Sequence, residues 1–128
     1  MKRRLAILLV WTAVAASVAA ARADEAYDQC KAAANADLGV CGEAWLAREQ
    51  SALDAKWTSI IELTDGAVAD TLANEHTAWT AFKDASCAFM HDTAFAPGGD
   101  KASYYGCRAG VIADRSSELD GYMSYIDN

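Results

Sequence analysis

Four cysteines, Cys30, Cys41, Cys87 and Cys107, are the residues of this sequence best equipped for covalent chemistry. None belongs to a C-x-x-C pair, and only two histidines, His76 and His91, accompany them. Zinc sites and dithiol redox motifs need closer pairs or more imidazoles, so that spacing suits neither. An even number of cysteines in a short chain points instead to cross-links. Three pairings are open. Cys30–Cys41 with Cys87–Cys107 is preferred, because each bond then joins neighbouring segments across one short connection. By the loop-closure argument each would contribute about 3 kcal/mol, a large share of a small domain's stability.

Other chemistry finds no complete set of groups. No serine lies in a nucleophile-elbow pattern. Gly98-Gly99 lacks the Gly-Lys-Ser/Thr that completes a phosphate loop. His76 and His91 fall on one predicted helix, where a rise of about 1.5 Å per residue holds them more than about 20 Å apart if that helix is continuous. Arg115 is expected to pair with an acid of the central helix, in keeping with the rarity of unpartnered interior charge. The reading is therefore of a non-enzyme without cofactor or metal, a protein that acts by binding.

The first residues look like an address. Lys2-Arg3-Arg4, an apolar run over residues 5–21 and Ala21-Arg22-Ala23 match the charged, apolar and A-x-A parts of a secretory signal peptide. Residues 1–23 are expected to be removed, leaving 24–128 as one periplasmic or secreted domain with no stable membrane insertion. Loss of Lys2, Arg3, Arg4 and Arg22 leaves seven basic residues against eighteen acidic ones, a net charge of −11. Nucleic acid and anionic lipid are poor partners for such a surface, whereas cationic proteins are drawn to it.

The positioning elements read as helices. Residues 25–35 suggest a short one with acid in its first turn, and Asn35-Ala36-Asp37 a break and a cap for the next. Leu46, Leu53, Trp57 and Ile60 form one helical stripe, with Trp45 and Ile61 beside it. Thr64-Asp65-Gly66 is the clearest turn signal. Val68, Leu72, Trp79, Phe82 and Phe89 then outline a third helix expected to end between Asp92 and Ala96, ahead of Pro97. Its Lys83-Asp84 pair is expected to face water. Tyr104, Val111, Leu119 and Tyr122 mark a fourth helix, with Tyr105, Ile112, Met123 and Ile126 alongside. No stretch alternates as a strand would. The expected fold is all-α, a small antiparallel bundle of three longer helices and a short N-terminal one, stapled by two disulfides. Trp57, Trp79, Phe82 and Leu119 are expected in its core.

With these residues in place the sequence resembles the lysozyme inhibitor LprI-like family. The likeness covers most of residues 24–128. It rests on the early pair Cys30 and Cys41, on Leu53-Asp54-Ala55-Lys56-Trp57, and on His76-Thr77-Ala78-Trp79-Thr80-Ala81-Phe82-Lys83-Asp84-Ala85-Ser86-Cys87. Cys107-Arg108, Arg115 and Leu119 complete it. Lys83 stands where the family usually has arginine, and Asp54 and Trp57 where it has asparagine and tyrosine. Lysine lacks the planar fork of arginine, so the ion pair of that position is weakened. The resemblance implies an exported, disulfide-stapled helical module whose partner is a protein such as a lysozyme. The alternative is a structural or assembly component of the envelope with no inhibitory activity. The place to read a partner is the loop over residues 93–103, which the bond between Cys87 and Cys107 would close, with Asp100 and Lys101 as contact residues.

Overall fold

A computed structural model of the chain describes residues 24–96 and 99–126. The signal-peptide reading of residues 1–23 lies outside them, as do Pro97 and Gly98. Four α-helices follow in order: α1 (Glu25–Ala32), α2 (Leu38–Glu62), α3 (Gly66–Ala85) and α4 (Lys101–Ile126), with a 3-10 turn at Ala88–His91. There is no strand among the described residues. The expected all-α bundle of three long helices and a short first one is the fold observed, and the disulfides pair as Cys30–Cys41 and Cys87–Cys107. Their Cα–Cα separations of 5.7 Å and 6.1 Å lie in the normal range.

Local chemistry sets the helix starts. Asp24 accepts a hydrogen bond from the Ala26 amide, and Asp37 accepts from both Gly39 and Val40, so α1 and α2 begin on capped amides. Asp65 precedes α3 without any side-chain capping bond. Asp100 Oδ1 accepts from the Ser103 amide and caps α4.

Consecutive helices run antiparallel. Along α1 and α2, Asp24 pairs with Arg48, Tyr27 stacks on Trp45 at 4.7 Å, and Cys30 is bonded to Cys41. This up-down-up order leaves α2 and α4 pointing the same way. A Cβ on Gly42 would lie 2.9 Å from Tyr105 Cβ, and farther along the pair Lys56 Nζ reaches the Ser116 carbonyl and Asp120. The α2–α4 pair forms the closest interface of the fold, while α3 meets its neighbours mainly through long side chains. Leu53, Ile60, Ile112 and Leu119 supply the buried core from α2 and α4, and α3 adds Leu72. Fully burying such a side chain is worth about 1.5–3 kcal/mol.

Three expectations fail, each for a physical reason. The third helix does not run to residue 92. Ser86 (φ −65°, ψ 140°) and Cys87 (φ 65°, ψ −1°) form the two centres of a type II turn, and the Ser86 hydroxyl donates to the Phe82 carbonyl. Phe89 therefore leaves α3 for the 3-10 turn. Phe82, expected inside, is 61% exposed, because the apolar side chains of α3 that reach the α2–α4 core are Leu72 and Trp79, and Phe82, a turn beyond Trp79, lines a recess at the α3–α4 seam. Lys83 does not face water. Its side chain is 15% exposed, its ammonium 5.7 Å from the Trp79 ring centre and 3.3 Å from Gln50 Oε1. Its partner in sequence, Asp84, is exposed as expected.

Candidate functional site

The densest arrangement of polar and aromatic groups is the seam where α3 faces α4. Arg115 lies on α4 one turn before Leu119, so the spacing that buries Leu119 also drives Arg115 inward. Its side chain is 2% exposed. Nη1 donates to Glu75 Oε1 at 2.6 Å and to Glu118 Oε2 at 2.5 Å. The guanidinium carbon sits 5.7 Å from the Trp79 ring centre and 5.8 Å from that of Tyr122. Burial opposes the charge on Arg115, but the hydrogen bonds to Glu118 and Glu75 outweigh it and raise its pKa. The Tyr122 hydroxyl closes the cluster, 3.1 Å from Glu75 Oε1. Burial, together with its hydrogen bond to the same carboxylate, raises the pKa of that phenol.

His76 is the other group sequence reasoning left open. Its ring stacks on Trp57 at 3.9 Å and 12°, and on Trp79 at 5.5 Å. Desolvation between these indoles lowers its pKa, helped by the charges of Arg115 and Lys83 and opposed by Asp54 and Glu75. His76 is therefore held neutral, packed between two rings that cannot relay a proton. The continuous helix assumed to separate it from His91 does not exist, yet the two still have different surroundings. His91 sits on the 3-10 turn, 3.8 Å from the ring of Tyr104. Among the described residues no group of three or more histidine, cysteine, aspartate or glutamate side chains is placed to hold a metal.

Above this cluster Arg108 spans the same two helices, donating to the Asp84 carbonyl at 3.3 Å and reaching its carboxylate at 3.4 Å. Glu75, Glu118 and the Arg108–Asp84 bridge are the participants that sequence reasoning did not name. A signal for Glu118 was present in its i, i+3 spacing from Arg115. The choice of Glu75 needed the register of two helices.

The remaining predicted residues fall elsewhere. Trp57 and Trp79 are half-buried against the core, and Leu119 is fully buried within it. Asp100 and Lys101 stand at the start of α4, at the disulfide end. The Asp100 amide donates to the Met90 carbonyl, and its carboxyl is held below the usual carboxylate range by the bonds to Ser103. Lys101 is exposed, next to the start of α2, where a Cβ on Gly39 would be 3.6 Å from Lys101 Cβ. On the same loop Phe89 and Phe95 meet edge to face at 5.2 Å, both more than half exposed.

What fold and site define is a disulfide-closed helical module with a buried arginine held between carboxylates of two helices. The family model for lysozyme inhibitor LprI matches residues 26–119, and the chain belongs to that family. No curated protein and no solved structure matches it. No described helix is long and apolar enough to cross a membrane.

Proposed function

We propose that this protein is an exported, lysozyme-inhibitor-like module that binds a cationic cell-wall hydrolase in the periplasm or outside the cell and masks it. The match to the lysozyme inhibitor family across residues 26–119 carries this reading. Two further features support it. Residues 24–128 carry a net charge of −11, which favours encounter with a basic protein. The Cys87–Cys107 bond closes the loop that presents Phe89, Phe95, Asp100 and Lys101, which lowers the ordering cost of a contact there.

Turbidity of bacterial cell walls treated with c-type, g-type and i-type lysozymes tests the reading. Inhibition of at least one type, fading as salt is added, is the expected result. Failure against all three would leave the envelope-assembly role in its place. Lys101→Ala should weaken inhibition with no change in melting temperature, since Lys101 is exposed. Asp100→Ala is a different case: it also removes the cap of α4 and should lower the melting temperature.

A further inference from the structure

The seam between α3 and α4 is bridged at its centre by Arg115 and Glu75 and recessed on either side of that bridge. On α3 the residues facing it are Val68, Leu72, Glu75, Trp79 and Phe82, at alternating steps of four and three. On α4 they are Val111, Arg115, Glu118, Tyr122 and Tyr125, with the same alternation. That is the spacing with which a helix meets another helix, presented twice in parallel stripes. Recesses of about 210 Å³ beside Val68 and Tyr122 and about 430 Å³ beside Phe82 and Val111 flank the central Glu75–Arg115–Glu118 cluster. Val68 and Phe82 are each 61% exposed and Tyr125 83%. The first helix cannot cover this face, because its stacking and disulfide contacts hold it against α2.

We infer that this seam receives a cationic amphipathic helix of a partner protein, which lies in it as the missing fourth member of a bundle. From Val68 at the outer edge of one recess to Phe82 at that of the other is fourteen helical rises, about 21 Å, and their apolar walls would take one apolar stripe of such a helix. Between and beside them stand Glu75, Glu118 and Asp114, with carboxylate side chains of Glu75 and Glu118 44% and 49% exposed, suited to its lysines or arginines. Arg115 offsets only one of these three carboxylates, so the rim remains net acidic. That same acidity disfavours a second copy of this chain, whose own seam carries the same charge. The inference rests on the proposed cationic partner but fixes a different face from the loop around Lys101.

The test uses residues 24–128 with both disulfides formed and a synthetic peptide of leucine and lysine in amphipathic order, about eighteen residues long to span the seam. Backbone amide shifts in NMR should move along residues 68–82 and 111–125 on saturable binding. Phe82→Ser together with Tyr125→Ser should weaken binding about tenfold or more, the scale of losing an exposed aromatic anchor. Asp114→Lys should weaken it further, and Phe89→Ser at the loop should leave it unchanged. Shifts confined to another face, unaltered affinity in the double variant, or equal binding by a scrambled peptide of the same composition would overturn the inference. Lysozyme inhibition measured on the same variants keeps the two readings apart. Inhibition lost through Lys101→Ala but not through the seam variants sinks only the seam, and a wild-type protein that binds the peptide but inhibits no lysozyme sinks only the inhibitor reading.

Discussion

His76 has its neutral form built into the fold. Its ring lies between Trp57 and Trp79, and Arg115 and Lys83 repel a proton that Asp54 and Glu75 attract only in part. The folded pKa is therefore below the ordinary imidazole value of about 6.5, so the unfolded chain takes up the proton first as pH falls. The contribution of His76 to stability is whole above about pH 6.5 and is lost progressively as pH drops from there toward the folded pKa. Melting temperatures followed from pH 7.5 to 5 should fall in this window, and His76→Gln should flatten that part of the curve. An unchanged slope would show that the imidazole is not desolvated. Arg115 makes the complementary case. Arg115→Ala removes two charge-assisted hydrogen bonds and a buried stem packed on rings, and urea unfolding should register a loss of about 2–3 kcal/mol. Arg115→Lys should recover only a part, since an ammonium can still donate to both carboxylates but the planar guanidinium beside Trp79 and Tyr122 is lost.

Capping distinguishes the helices more sharply than their interiors do. Asp37 holds two amides of α2, whereas Asp65 holds none of α3. Asp37→Ala should cost about 1 kcal/mol by chemical denaturation, and Asp65→Ala close to nothing. Equal losses would contradict the assigned caps. Gly42→Ala tests the α2–α4 interface, because the new methyl would meet Tyr105 Cβ at 2.9 Å with helix backbone on both sides. The expected cost is about 1–3 kcal/mol. The starts and faces of these helices were legible in the sequence, because Asp37, the turn at Asp65-Gly66 and the stripe through Leu53 and Ile60 are local signals. The end of α3 was not. Nothing between residues 67 and 96 is Gly or Pro, and Phe89 continues the apolar spacing, so periodicity runs on past the real boundary. The chain turns at Cys87 in a left-handed conformation that glycine usually supplies, and its bond to Cys107 holds it there. Exposure of Phe82 was hidden for a related reason: spacing places a residue on a face but does not say whether another helix covers that face. Pairing of Arg115 with an acid of the third helix was foreseeable, while Glu75 rather than Asp84 follows from the register of two helices remote in sequence.

Across the whole molecule, covalent and hydrophobic stabilisation are segregated. The two bonds gather at the end where α2 and α4 begin, while Ile60, Leu72 and Leu119 pack toward the other. The seam between α3 and α4 extends over both regions and the presented loop belongs to the first. Each bond also joins cysteines that are consecutive in the sequence. An oxidant meeting the chain from its N-terminus would close Cys30 onto Cys41 before Cys87 becomes available, and would then have one pair left to make. Biogenesis in a bacterial host that has a thiol oxidase but lacks a disulfide isomerase should consequently give full yield of correctly bonded protein, as read by peptide mapping. Mispaired product that only an isomerase corrects would mean that the cysteines are not oxidised in the order in which they emerge.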